Sequence, residues 1–127
     1  MSEKLKGVPG RADVWAEKNQ VTVVGVADSS LTVFRLNRKS GSPIKWESKV
    51  LAKLTPPAPG AIETATIARD GKGNWWVAST AGLKVCAWFS EDGNRWETPL
   101  ILGEGIDADD ICVITPLPDG VGVIWSD

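Results

Sequence analysis

Apolar residues along this chain recur in short runs and not in helical steps. Runs rich in Val, Ile, Leu and Trp occupy 21–26, 31–36, 74–79, 83–89, 111–115 and 121–125. Clusters of turn-forming residues separate them, among them Asp28-Ser29-Ser30, Asp70-Gly71-Lys72-Gly73, Glu91-Asp92-Gly93-Asn94 and Pro118-Asp119-Gly120. Glycine tolerates positive φ, and Asp or Asn side chains bond nearby amides, so each cluster reads as a reversal between strands. No window longer than about ten residues places apolar side chains at i, i+3, i+4 and i+7 without a Gly or Pro intruding. The pattern predicts an all-β chain.

The strands differ from those of a sheet with one wet face, where apolar and polar positions alternate. In 83–89, Leu83, Val85, Ala87 and Phe89 share one side, while Cys86 and Trp88 share the other. In 21–26, Val21 and Val23 oppose Val24 and Val26. Side chains alternate sides along a strand, so these segments are expected to be buried on both faces between packed layers.

Self-similarity sharpens this expectation. Lys45-Trp46-Glu47-Ser48 and Arg95-Trp96-Glu97-Thr98 lie 50 residues apart, as do Val50-Leu51-Ala52 and Leu100-Ile101-Leu102. Leu31-Thr32-Val33-Phe34 matches Leu83-Lys84-Val85-Cys86 at an offset of 52, and 74–80 matches 121–127 at 47. Four-stranded units repeating every 40–50 residues are the signature of β-propeller blades, which stack to cover the faces that a single blade leaves open. The chain divides on this reading into a linker-like 1–11, a first blade at 12–53, a second at 61–103 and a half blade at 110–127.

Ser90-Glu91-Asp92-Gly93-Asn94-Arg95-Trp96 falls in the hairpin between the third and fourth strands of the second blade. Asp92 can accept turn amides, Gly93 permits positive φ, and Trp96 can cap the hairpin. This stretch resembles the Asp box (Ser-x-Asp-x-Gly-x-x-Trp) of sialidase-like, or BNR-repeat, propellers, with one residue fewer between Asp and Gly. The matching stretch of the first blade, Ser40-Gly41-Ser42-Pro43-Ile44-Lys45-Trp46, keeps the Ser and Trp alone. The resemblance implies a structural clasp on the rim formed by Ser90, Asp92, Gly93 and Trp96. Sialidases of that family use an arginine triad and a tyrosine nucleophile paired with a glutamate. This chain has no Tyr, and Val33-Phe34-Arg35-Leu36 lacks the Pro of the arginine motif, so a complete sialidase site cannot be built from it.

Composition adds exclusions. The 127 residues include seven Trp, two Phe, no Tyr and no His. Imidazole-based catalysis, imidazole metal sites and histidine pH switches are therefore ruled out within the chain. No catalytic residue, metal or cofactor is expected. Glu104, Asp107, Asp109 and Asp110 crowd one loop, but without the spacing of a calcium loop they read as a solvated acidic linker. Trp46, Trp88 and Trp96 are expected in hairpin caps and core, which leaves Trp15, Trp75 and Trp76 as candidates for stacking on a carbohydrate. Cys86 and Cys112, each flanked by apolar residues, are expected as buried free thiols.

Charge is unevenly distributed. Residues 1–53 carry ten basic and five acidic side chains, net +5; residues 54–127 carry four and eleven, net −7. The one basic triplet, Arg35, Arg38 and Lys39, lacks interleaved aromatics, so nucleic acid is not an expected partner. No run approaches the roughly 18 apolar residues of a membrane helix. The first ten residues, MSEKLKGVPG, lack a signal-like apolar segment, so the expected place is a cytosol, away from membranes.

About ten strands amount to two and a half blades, whereas closed propellers hold typically four to eight. Two copies would supply five blades, and the basic front and acidic back would attract each other. The expectation is a non-catalytic repeat module that assembles with itself, a closed dimer first, and binds a carbohydrate or protein. The alternative is part of a sialidase-like glycoside hydrolase whose catalytic residues lie largely outside this chain.

Overall fold

A computed structural model describes residues 11–27, 29–41 and 43–126. Residues 1–10 of the expected linker-like segment 1–11 and the positions Asp28, Ser42 and Asp127 lie outside the described residues, and Arg11 opens the first strand. Ten strands and no helix are present among them. β1 (Arg11–Ala16), β2 (Gln20–Ala27), β3 (Ser30–Lys39) and β4 (Lys45–Leu54) form one antiparallel sheet in chain order. β5 (Ala65–Arg69), β6 (Trp75–Ala81), β7 (Lys84–Ser90) and β8 (Leu100–Glu104) form a second in the same order. β9 (Cys112–Leu117) and β10 (Gly120–Trp125) form a two-stranded hairpin. The sheets stay open, and no helix is long and apolar enough to cross a membrane.

Strand alternation explains how these layers pack. Val24 pairs with Val33 and Val26 with Leu31, which places all four on one side of the first sheet. They meet Ile67, Trp75, Val77, Cys86 and Trp88 from the second sheet. Val77 and Ala78 are adjacent and both fully buried, so the second sheet is covered on both sides. Its far side, through Ala68, Ala78, Val85 and Ala87, packs on Cys112 and Ile114 of the hairpin. Burying each larger aliphatic side chain contributes about 1.5–3 kcal/mol, and the double-sided apolar runs of the sequence are what make a central layer. A third cluster, Val23, Phe34 and Leu36, covers the other side of the first sheet with Val21 and Trp46 against it.

Polar bonds tie the first strand of each layer to the next. Asp13 Oδ2 accepts the Thr66 hydroxyl at 2.9 Å and the Ile67 amide at 3.0 Å, joining β1 to β5. Thr66 Oγ1 in turn accepts the Ile114 amide at 3.3 Å, and Thr64 Oγ1 accepts the Cys112 amide at 3.3 Å, joining β5 to β9.

The two four-stranded sheets also share an irregularity. The β3–β4 ladder slips by one residue between Val33 and Phe34, leaving Leu51 without an opposite number. The β7–β8 ladder slips between Val85 and Cys86, leaving Leu102 in the same situation. Each bulge falls at the same place in the 52-residue alignment of the two segments. Bulges bend the strand that carries them and increase local twist, so β4 and β8 are irregular at equivalent points.

Candidate functional site

The turn that follows β7 is built around two short side chains. Ser90 Oγ accepts the Gly93 amide at 2.8 Å, and Asp92 Oδ1 accepts the amides of Asn94 at 2.8 Å and Arg95 at 2.9 Å. The Ser90 hydroxyl reaches the same Asp92 oxygen at 3.2 Å. Bonds from the Arg95 and Asn94 amides hold the Asp92 carboxyl below its ordinary value of 3.8. Gly93 has φ +83°, the left-handed region that favours glycine, and a Cβ there would press on Arg35 Nη2 at 2.7 Å and Trp75 Cδ1 at 3.3 Å. Trp96 donates its indole N–H to Gly93 O at 2.9 Å and packs against the core between the first two sheets. The structure thus gathers Ser90, Asp92, Gly93 and Trp96 into one hydrogen-bonded turn. Trp46, its sequence counterpart, sits inside β4 opposite Arg38 and packs on the Val23–Phe34–Leu36 cluster instead.

Beneath this turn Trp75 is almost fully buried, 1% exposed. The guanidinium carbons of Arg35 and Arg69 lie 5.5 and 4.9 Å from its ring centre, within cation–π range. Arg69 also grips both carboxylate oxygens of Glu17, at 3.1 and 3.0 Å, and donates Nε to Gly73 O at 3.0 Å. Burial, then repulsion from Arg69, lowers the pKa of Arg35, against the opposing pull of Glu17 and Asp92. Aromatic ring and ion pair fix each other here.

Trp76, one residue on, points to the opposite side of the strand. Its indole donates to Asp70 Oδ2 at 2.9 Å, and its ring meets Phe89 edge to face at 4.8 Å. Asp70 Oδ1 accepts the amides of Lys72 at 2.9 Å and Asn74 at 3.0 Å. Burial pushes the Asp70 carboxyl up, but the bonds from Trp76, Asn74 and Lys72 outweigh it and hold the group below its ordinary value. Trp15 is half-buried against the packing on both sides of the second sheet. The three tryptophans marked as stacking candidates therefore do not share one exposed surface, and Trp75 offers none.

The acidic loop folds on itself. Asp107 N donates to Asp110 Oδ2 at 2.8 Å and Asp110 N to Asp107 O at 3.1 Å. Among the described residues, no three His, Cys, Asp or Glu side chains are placed to hold a metal ion. Cys86 and Cys112 are free and buried, and burial raises both thiol pKa values, Cys112 to about 11.

Two grooves run between the layers, and neither was evident from sequence. One, of about 430 Å³, lies between the end of β4 and residues 94–99, with Lys53, Trp88, Asn94, Trp96, Glu97 and Thr98 on its walls. The other, of about 320 Å³, runs between the second sheet and β10 and is lined by Trp76, Leu100, Leu102, Val121, Val123 and Trp125. The first mixes indole rings with charged and hydroxyl groups; the second is wholly aliphatic and aromatic. Sequence reasoning assigned Trp88 and Trp96 to core and cap, and missed that the same rings border a groove. The available signal was Glu97-Thr98 following Trp96, polar residues kept beside an aromatic one. Comparison with protein-family models gives no match for this chain, and comparison with curated proteins gives none either.

Proposed function

We propose that this chain is a non-catalytic β-propeller repeat module, related in design to the Asp-box propellers, that assembles with a second copy to complete its ring. The observation that carries this reading is the repeated bulge, which supports taking the two four-stranded sheets as copies of one unit. Their face-to-face stacking, with first strands β1, β5 and β9 linked side by side through Asp13, Thr64 and Thr66, is the packing expected of neighbouring blades.

The outer faces supply the motive for assembly. On the first sheet Val14, Val23, Phe34 and Val50 form one cross-strand row whose ends, Val14 and Val50, are more than half exposed. On the hairpin Val113 and Ile124 pair on the side away from the second sheet and are also more than half exposed. Apolar rows of this kind are covered in a stable assembly. The net +5 of residues 1–53 and −7 of residues 54–127 favour opposite ends meeting. Engagement of Arg35 and Arg69 with Trp75 and Glu17 favours the non-catalytic reading over a sialidase-like site, whose arginine triad would need guanidinium groups free to meet a substrate carboxylate.

Light scattering at micromolar concentration tests the proposal. The expected mass is twice the 13.6 kDa of the chain, and a monomer would overturn self-assembly.

A further inference from the structure

We propose that the groove between β4 and residues 94–99 binds a saccharide, with a pyranose ring laid on the exposed part of Trp96. Three features of the groove carry this.

The first is the chemistry of its lining. A sugar presents an apolar patch of C–H groups bounded by hydroxyls, and its recognition needs an aromatic face with hydrogen-bonding groups around it. Trp96 supplies the aromatic part of the wall, with Trp88 buried beneath it. Lys53 and Asn94 supply donors, Glu97 an acceptor and Thr98 a hydroxyl that does both. The opposite charges of Lys53 and Glu97 leave the groove near neutrality, which suits a neutral sugar better than an anionic one.

The second is rigidity. Trp96 is half-buried, and its indole N–H is already committed to Gly93 O at 2.9 Å. The turn beneath it is locked by Ser90 and Asp92. The ring is therefore held in place before a ligand arrives, which lowers the ordering cost of binding. A volume of about 430 Å³ falls within the range of about 300–1,000 Å³ usual for small-molecule sites.

The third is contrast. The groove on the other side of the second sheet has no charged or hydroxyl side chain on its walls. It has the lining of a packing surface, whereas the first groove keeps polar groups beside its tryptophans.

This inference rests on the reading of the chain as a non-catalytic module and names a ligand class and a place for it. Both walls belong to one chain, so sugar binding is read in a monomer or a dimer alike, and its failure is separate from failure of assembly. The test is calorimetric titration of the intact chain with lactose, cellobiose, maltose and methyl α-mannoside, each up to about 20 mM, a range that detects millimolar affinity. We expect at least one to bind. Trp96→Ala is expected to weaken that binding about tenfold or more, and Lys53→Ala and Thr98→Ala about threefold each, as loss of one stacking or polar contact implies. Near-UV circular dichroism identifies a Trp96→Ala chain that has lost its fold, and the two rim variants then decide. No binding by any of the four sugars, or binding unchanged by the rim variants, would overturn the proposal.

Discussion

Asp13 in β1 and Thr66 in β5 share a hydrogen bond of 2.9 Å across the boundary between the first two sheets. The Thr66 oxygen that donates to Asp13 also accepts the Ile114 amide from β9. One hydroxyl therefore joins three layers, as donor on one side and acceptor on the other, which only Ser, Thr or a water could do in that space. Thr66 is buried, and the bond it accepts from the Ile114 amide is buried with it.

Replacing Thr66 with Val keeps the shape of the side chain and removes that oxygen. The Ile114 amide then loses its acceptor in a buried setting, and such a group costs about 1–3 kcal/mol. We expect Thr66→Val to lower the urea midpoint accordingly with an unchanged slope. Thr66→Ser, which retains the hydroxyl, should lose less.

Gly71 carries a different link between layers. It donates its amide to Leu117 O at 2.9 Å, and a Cβ there would lie 2.6 Å from Pro118 O and 2.7 Å from Pro118 Cα. Backbone atoms cannot swing aside as a side chain can. Gly71→Ala should push the β9–β10 turn away from the second sheet at a cost of about 1–3 kcal/mol. The expected signature is earlier thermal unfolding together with altered Trp125 fluorescence.

Acid should act through Asp70 and Asp92. Both have folded pKa values below the ordinary 3.8, so the unfolded chain binds their protons more readily than the native one. Their contribution is present above the unfolded value and is lost as pH falls through the folded values, below about pH 4. A near-UV dichroism titration of the tryptophans should show this loss. Asp70→Asn, which cannot accept three bonds with a carboxylate's strength, should unfold more easily at pH 7 and respond less to acid.

The two thiols should be silent in the native state. Burial raises the pKa of both, Cys112 to about 11, so little thiolate exists near pH 8. Ellman's reagent at pH 8 is expected to count no fast thiol in the native chain and two in urea. A raised thiol pKa also means stability that is whole below the unfolded value near 9.0 and lost as pH climbs toward 11. Rapid native reaction of either thiol would contradict the burial described.

The sequence made some of this structure readable and hid the rest for physical reasons. The six apolar runs coincide with β2, β3, β6, β7, β9 and β10 to within one residue at their starts, because a strand buried on both sides leaves no polar period to confuse it. β4 was visible only through the repeat, since Lys45, Glu47, Lys49 and Lys53 give it the composition of a solvated segment. The neighbours Trp75 and Trp76 could not lie on one surface, as strand alternation alone implies. Nothing local announced that Arg35 and Arg69 would converge on Trp75, because those contacts join residues far apart in the chain. The groove beside Trp96 was hidden for the same reason: one wall comes from β4 and the other from residues 94–99.

The two bulges have a consequence for how copies of this molecule can meet. A flat, regular outer strand is a template on which another chain can add by backbone pairing. β4 and β8, the last strands of their sheets, are each bent by an unpaired residue, Leu51 in one and Leu102 in the other. β4 further lines its length with Lys45, Lys49 and Lys53. Growth of sheets sideways into fibrils is thus discouraged at these two rims, which leaves the exposed apolar rows ending at Val14, Val50, Val113 and Ile124 as the surfaces on which another molecule could settle.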